Sequence, residues 1–171
     1  MIKRICFTLI LSLATVFGFS QTDLFDFGWR FYRGGAQSAE TPSFDDTSWR
    51  TVDLPHDWSV EDLPGTSSPF DPDAIGQVST GFAVGGTGWY RKHFLLSADQ
   101  KAKRVYLQFD GVYMNADVWL NGNHLGNHPY GYTSFWFDIT DHLKSGEENI
   151  LASSGYSKVQ TRSGRENNST Q

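Results

Sequence analysis

The sequence predicts an all-β fold, a β-sandwich of short strands. Apolar and polar residues alternate wherever the chain shows a pattern, which is typical of strands with one buried face. Gly, Asn and Asp turns separate these segments, and the sequence contains no long amphipathic helix. These observations favour two packed sheets over any helical architecture.

The N-terminus has the pattern of a signal peptide over residues 1–20. Two basic residues precede an apolar run over 5–19, and small residues follow shortly before Gln21. The run is too short for an ordinary transmembrane helix. The only cysteine, Cys6, lies within it, so the mature chain has no thiol. We therefore expect an exported protein, periplasmic or secreted, without membrane attachment once the signal is removed.

The charge of the mature chain argues against nucleic acid as a partner. Of the 14 basic residues, two leave with the signal, so 12 remain against 19 acidic ones, a net charge of −7. The mature chain is instead rich in aromatic residues, which either fill a sandwich core or form stacking platforms for sugar rings. The tryptophans lie at Trp29, Trp49, Trp58, Trp89, Trp119 and Trp136.

The first half of the mature chain contains two predicted strands and a long loop. One strand covers 25–31, with apolar residues at odd positions. The other covers 90–96, where Arg91 and His93 alternate with the apolar residues and therefore define a polar face. Between them, residues 59–88 are rich in Gly and Pro and predict an irregular loop, which at this length is functional or disordered.

The second half contains the clearest turn signals. Residues 105–109 and 112–120 alternate on either side of Asp110-Gly111 and predict two paired antiparallel strands. Asn121-Gly122 predicts a tight hairpin, because both residues tolerate the positive φ of a type I′ turn. A further strand covers 135–139.

The remainder of the chain predicts a short helical turn, a last strand and a tail. The turn covers 140–144, with Thr140 or Asp141 as its cap, and the strand starts at Asn149. Residues 153–171 are mostly polar and predict a disordered tail. The predicted domain therefore covers 21–152, between the signal peptide and the tail.

Specific motifs resemble a known family. The chain resembles the N-terminal sugar-binding domain of family 2 glycoside hydrolases, β-galactosidase type, from Leu24 to Ala152. The matching segments are Phe27-Gly28-Trp29-Arg30-Phe31, Phe44-Asp45-Asp46-Thr47-Ser48-Trp49, Pro55-His56-Asp57-Trp58, Gly88-Trp89-Tyr90-Arg91-Lys92, Phe109-Asp110-Gly111-Val112, Trp119-Leu120-Asn121-Gly122, Phe137-Asp138-Ile139-Thr140 and Asn149-Ile150-Leu151-Ala152.

The resemblance implies a jelly-roll sandwich like that of galactose-binding domains. In complete enzymes of this family an immunoglobulin-like domain and a (β/α)8 barrel follow it, and the barrel carries two catalytic glutamates. The resemblance to the family pattern stops after Ala152, which predicts a domain that is incomplete at its C-terminal end and a truncated chain.

The candidate substrate-binding residues lie in loops and on one strand. Asp57 and Trp58 form a carboxylate and indole pair that would bind a sugar, or else a turn-capping acid beside a buried ring. Tyr130 and Tyr132 lie in a second loop and are further candidates. Trp119 faces either the second sheet or solvent, and is the fifth candidate.

We predict no catalytic residue, metal site or cofactor. A retaining glycosidase needs two carboxylates about 5 to 5.5 Å apart, and the family places these in the barrel. His124 and His128 have a spacing that suits a metal on a helix, but Gly126 and Pro129 disfavour a helix there. The chain alone is therefore expected to be inactive.

The leading hypothesis for function is the sugar-binding domain of an exported β-galactosidase-like glycoside hydrolase. Its expected partners are a β-galactoside-like carbohydrate and the immunoglobulin-like and barrel domains of a complete enzyme. The alternatives are a freestanding carbohydrate-binding module and a truncated product without function.

Overall fold

A computed structural model describes residues 22–74, 78, 81–97 and 103–157. The predicted signal peptide and residues 158–171 of the predicted tail lie outside them. The described residues contain no α-helix, and the predicted all-β fold is confirmed. The strands are β1 (Trp29–Arg33), β2 (Arg50–Val52), β3 (Gly86–Leu95), β4 (Tyr106–Phe109), β5 (Ala116–Leu120), β6 (Asn123–His128), β7 (Phe135–Asp138) and β8 (Glu148–Ser157), with 3₁₀ turns at Trp58–Val60 and Thr140–His142.

The strands form two sheets that face each other. The larger sheet has six strands in the order β2-β1-β3-β8-β5-β6, and the smaller consists of β4 and β7. Every strand pair is antiparallel. β8 is therefore central, since it pairs with β3 on one side and with β5 on the other.

The main core lies between the two sheets. β5 alternates as the sequence predicts, with Ala116, Val118 and Leu120 fully buried against the smaller sheet. The residues that complete this core come from both sheets and from the segment after β7: Trp29, Leu107, Phe135, Ile139 and Leu151.

The opposite face of the six-stranded sheet is also covered. Residues 34–49 lie over it, and Ala39 and Trp49 of this segment form a second apolar cluster with Trp89 and Ala152 of the sheet. The face of β3 that carries Arg91 is therefore not a solvent face, and Arg91 is fully buried. We name residues 34–49 the covering segment.

A buried ion pair fixes the covering segment to β3. Arg91 Nε donates a hydrogen bond to Asp46 Oδ2 over 2.6 Å, and Arg91 Nη1 donates to the carbonyl oxygens of Ala39 and Thr41. His93 Nε2 lies 2.8 Å from the same Asp46 oxygen. Asp46 therefore links the covering segment to two residues of β3.

The protonation of this group follows from its contacts. Burial opposes ionisation of Asp46, but hydrogen bonds from His93 and Arg91 outweigh it and hold the pKa of Asp46 below its ordinary value. Burial also acts to lower the pKa of His93, yet its bonds to Asp46 and Glu148 prevail and the pKa of His93 is raised. Both shifts favour the ionised, paired state.

Two turn predictions have different outcomes. The Asn121-Gly122 hairpin is confirmed, since these residues join β5 to β6 with φ values of 53° and 83°. The hairpin across Asp110-Gly111 is wrong: β4 pairs with β7, whereas β5 belongs to the six-stranded sheet. The chain crosses between the sheets over 110–115, and a local turn signal does not specify which sheet the next strand joins.

Two further predictions also differ from the structure, the start of β1 and the cap of the helical turn. β1 begins at Trp29, because Gly28 has a φ of 72° and Phe27 is 64% exposed. The 3₁₀ turn at Thr140–His142 has Ile139 at its N-cap position and no side-chain cap. Thr140 Oγ1 instead donates to Asp138 and accepts from the Val105 amide.

The predicted tail is ordered at its start. β8 continues past Ala152 to Ser157, and Ser153, Ser154 and Gly155 pair with β3. Ser153 is buried. The polar composition is misleading here, because the segment is held by hydrogen bonds to two neighbouring strands rather than by large apolar side chains.

A search of the described residues finds no helix with the length and apolar character that a membrane span requires.

Candidate functional site

The antiparallel register brings several loops to one end of the sandwich. The end of β1, the start of β3, the end of β8, the start of β5 and the end of β6 all lie there. The loop after β2 starts at the other end, where Leu54 N donates to Asp26 O, and runs along β1 and β3 until Trp58 reaches Gly88. We call the shared end the loop end.

Asp57 and Trp58 have clear local roles at the loop end. Asp57 Oδ1 accepts hydrogen bonds from Ser59 N at 2.9 Å and Ser59 Oγ at 2.6 Å, so it caps the 3₁₀ turn. Trp58 is 8% exposed, and the Arg33 guanidinium lies 4.6 Å from its ring centre. Of the two alternatives from the sequence, the structure shows the turn-capping acid beside a buried ring. Contact of either residue with a sugar stays a prediction.

A network of side chains holds this loop against the sheet. His56 Nδ1 lies 2.8 Å from the Tyr90 hydroxyl, and His56 Nε2 lies 2.8 Å from Glu61 Oε1. Arg50 pairs with the same Glu61 carboxylate. Burial opposes ionisation of Glu61, but the bonds from Arg50 and His56 outweigh it and lower the pKa of Glu61.

The chemistry of Tyr90 fits a structural role. Burial, followed by the charges of Glu61 and Asp57, raises the pKa of Tyr90. A phenol with a raised pKa stays protonated at neutral pH, so Tyr90 acts here as a hydrogen-bonding partner of His56.

Tyr130 and Tyr132 lie in an exposed aromatic cluster. Tyr130 is 58% exposed and Tyr132 is 76% exposed, with ring centres 5.8 Å apart. Tyr113, which the sequence did not single out, is 56% exposed and lies 5.4 Å from Tyr132. Gly131 lies against it, since a Cβ there would approach Tyr113 Cα to 3.0 Å. The Gly131 between two tyrosines is the sequence signal that could have indicated a close aromatic neighbour.

Two glycines connect Trp58 to this cluster. Gly88 and Gly155 are directly paired across β3 and β8. A Cβ on Gly88 would lie 2.8 Å from Trp58 Nε1, and a Cβ on Gly155 would lie 3.5 Å from the Tyr113 carbonyl oxygen. Four of the five predicted residues therefore lie at the same end of the sandwich, the loop end.

Trp119 lies elsewhere. It is on the face of the six-stranded sheet that the covering segment occupies, stacked on Trp89 with ring centres 5.4 Å apart and planes 24° apart. Neither the second sheet nor open solvent is its main neighbour, so both sequence alternatives miss its setting. Its partly buried position favours packing over ligand contact.

The described residues contain no group of three or more His, Cys, Asp or Glu side chains that could hold a metal ion. His124 and His128 both lie on β6, but they contact different residues on other strands. His124 Nε2 lies 2.8 Å from Asp117, whereas the His128 ring stacks on Phe135 at 4.2 Å. The two imidazoles therefore take part in separate packing contacts.

Comparisons with known proteins agree with these features. The family described as glycosyl hydrolase 2 galactose-binding domain-like matches residues 79–170. The β-galactosidase BoGH2A of Bacteroides ovatus is 45% identical over 128 residues, which are 75% of this chain and 14% of that enzyme. A putative β-glucuronidase of Formosa agariphila is 43% identical over 126 residues, or 74% of this chain and 12% of the relative.

Solved structures give the same result. A glycosyl hydrolase family 2 member from Bacteroides cellulosilyticus is 54% identical with a TM-score of 0.75, covering 77% of this chain and 17% of that one. A Bacteroides uniformis β-glucuronidase is 30% identical with a TM-score of 0.65, and the match covers 78% of this chain and 14% of that one. The chain thus spans about one seventh of these proteins. Because this family matches more than half of the chain, the chain belongs to glycoside hydrolase family 2, as a galactose-binding-like domain.

Proposed function

We propose that this chain acts as the sugar-binding domain of an exported family 2 glycoside hydrolase, on β-galactosides or β-glucuronides. These two substrates are the ones for which the relatives are named. The observation that carries the proposal is the position of Asp57, Trp58 and three exposed tyrosines at the same end of the sandwich, the loop end. In this proposal the loop end contacts a sugar that a catalytic barrel holds from the other side.

The chemistry of the loop end suits a sugar. Asp57 is exposed, and its carboxylate has acceptor capacity beyond the two bonds from Ser59. Tyrosine rings offer flat apolar faces together with a hydroxyl group. A sugar has both hydroxyl groups and apolar faces, so one site can use both kinds of contact.

A chimera tests the proposal. Residues 22–157 of this chain replace the matching segment of the Bacteroides ovatus β-galactosidase, and hydrolysis of a chromogenic β-galactoside is measured. We expect kcat/KM to remain within about tenfold of the parent enzyme, a change of about 1.4 kcal/mol in transition-state stabilisation. An inactive but folded chimera would contradict the proposal. Saturable binding of galactosides by the chain alone would then favour a freestanding module.

Two matched substitutions in the chimera test the role of Asp57. Asp57→Ala should lower kcat/KM about 10- to 100-fold, the effect of one lost hydrogen bond to a charged group. Asp45→Ala is the control, because Asp45 caps Thr47 through the same pair of bonds, at 3.0 and 2.6 Å, but lies in the covering segment. Equal losses in both variants would show that only turn capping matters.

Export is the second part of the proposal, and the signal pattern over 1–20 supports it. When the full chain is expressed in a bacterium, we expect the mature product to start at Gln21, as read by N-terminal sequencing. A deletion of residues 2–20 should leave the product in the cytoplasm. Recovery of the full chain with an intact Met1 would contradict cleavage.

A further inference from the structure

A cleft lies beside β1 where its edge has no strand partner. β2 pairs with β1 only as far as Arg50, which is opposite Phe31. β1 continues to Arg33, so within the described residues Tyr32 and Arg33 have no strand partner on that side. The resulting cleft has a volume of about 260 Å³. Its lining includes Tyr32, Arg33, Trp49, Arg50, Glu61 and Asp62.

The cleft has an aromatic wall that is supported from behind. Tyr32 stacks on Trp49, with ring centres 5.4 Å apart and planes 21° apart, and retains 42% of its exposure. Trp49 is itself buried and packs edge-on against Phe44. The Tyr32 ring is therefore held in place while part of it faces solvent, which lowers the entropy cost of stacking a ligand on it.

The polar groups of the cleft carry both signs of charge. Arg50 is fixed by Glu61 and lies 5.0 Å from the Phe31 ring centre. Arg33 lies over Trp58 and donates only a long bond, 3.5 Å, to Val84 O. Asp62 makes no hydrogen bond or ion pair with any residue that the structure describes, so its carboxylate is available to a ligand.

We propose that this β1 cleft is a second carbohydrate-binding site, in which a pyranose ring stacks on Tyr32 and its hydroxyl groups bind Asp62, Arg33 and the Arg50–Glu61 pair. The positive charges of the two arginines are balanced by the negative charges of Glu61 and Asp62. A strongly charged ligand therefore gains little net attraction. An apolar ligand would leave these charges desolvated. A neutral sugar has an apolar face for the ring and hydroxyl groups that both donate and accept.

The cleft adjoins the loop end, since Arg33 at the end of β1 packs on Trp58, but it does not contain the candidate residues of the loop end. None of Asp57, Trp58, Tyr113, Tyr130 and Tyr132 lines it. It opens to solvent at the sheet edge, so it can bind a unit within a longer glycan as well as a chain end. The site would hold a polysaccharide near the enzyme, a role that does not depend on the proposed substrate contact.

The test is an NMR titration of the full chain, labelled with ¹⁵N. The probes are β-linked tetrasaccharides of galactose, glucose, xylose and glucuronic acid, each to about 20 mM, enough to detect millimolar binding. We expect one or more neutral probes to shift the amides of Tyr32, Arg33 and Asp62. Absence of shifts there with all four probes would overturn the proposal.

Three variants assign any binding to the cleft. Asp62→Asn removes the free carboxylate without touching the core, and should weaken binding about tenfold. Tyr32→Ala should abolish the shifts. Tyr106→Ala is the control, since Tyr106 is 52% exposed on the smaller sheet, and should have no effect. Unchanged binding in both cleft variants would overturn the proposal.

The same spectra separate this site from the proposed function. Shifts confined to the amides of Tyr130 and Tyr132 would support sugar contact at the loop end and overturn the cleft proposal. Shifts confined to the cleft would support the second site even if the chimera were inactive.

Discussion

Replacement of Asp46 by alanine should lower the free energy of unfolding by about 3–5 kcal/mol, the usual cost of breaking a buried ion pair from one side. Arg91 is fully buried, and Asp46 is its only anionic partner among the described residues. Arg91 Nη2 already lacks a hydrogen-bond partner in the described part of the chain. The substitution therefore leaves a buried cation without a counterion.

Asp45→Ala provides the matched control for this prediction. Asp45 is the adjacent residue, is exposed, and bonds only to Thr47 within its own turn. Its loss should destabilise the protein far less than the loss of Asp46, because it removes only an exposed turn cap. Urea unfolding, monitored by tryptophan fluorescence, gives the free energy of unfolding of both variants. Similar small losses would mean that the covering segment does not depend on the ion pair.

Ser154→Pro should lower the free energy of unfolding by about 3 kcal/mol or more. Ser154 pairs with Trp89 on β3 and with Asp117 on β5, so it lies between two strands. Proline has no N–H to donate, leaves an acceptor unpaired, and adds a ring where the neighbouring backbone is close.

Ser154→Ala isolates the backbone effect, because it keeps the N–H and removes only a hydroxyl group. We expect a change within about 0.5 kcal/mol for this variant. Urea unfolding compares the two. If Ser154→Pro left the free energy of unfolding unchanged, residue 154 would belong to a disordered tail, as the composition of 153–171 suggests, and β8 would end earlier.

Local patterns predicted the elements that local interactions determine. The β5 alternation and the Asn121-Gly122 turn depend on residues within a few positions of each other. The partner of β4 does not, because Phe109 pairs with Phe135, and nothing in the Asp110-Gly111 signal specifies so distant a strand. The same limit explains why the pairing of Asp46 with Arg91 was missed.

The candidate site was predicted in part for similar reasons. Asp57, Trp58, Tyr130 and Tyr132 were chosen because they lie in predicted loops, and their binding role stays a prediction. Tyr113 was missed because it lies in a segment that alternation assigned to a strand, although it is in fact part of the crossing between sheets. Trp119 was included on its type alone, and its stacking on Trp89 depends on β3, which is distant in sequence.

The central place of β8 has a consequence for the order of events during synthesis. β2, β1 and β3 form one half of the large sheet, and β5 with β6 forms the other, but the only strand that touches both halves is the last one described. While the chain emerges from the ribosome, each half carries an unpaired strand edge until residues 148–157 are released. The large sheet therefore cannot be completed before this segment has been synthesised, and its dependence on pairings distant in sequence is typical of slow assembly.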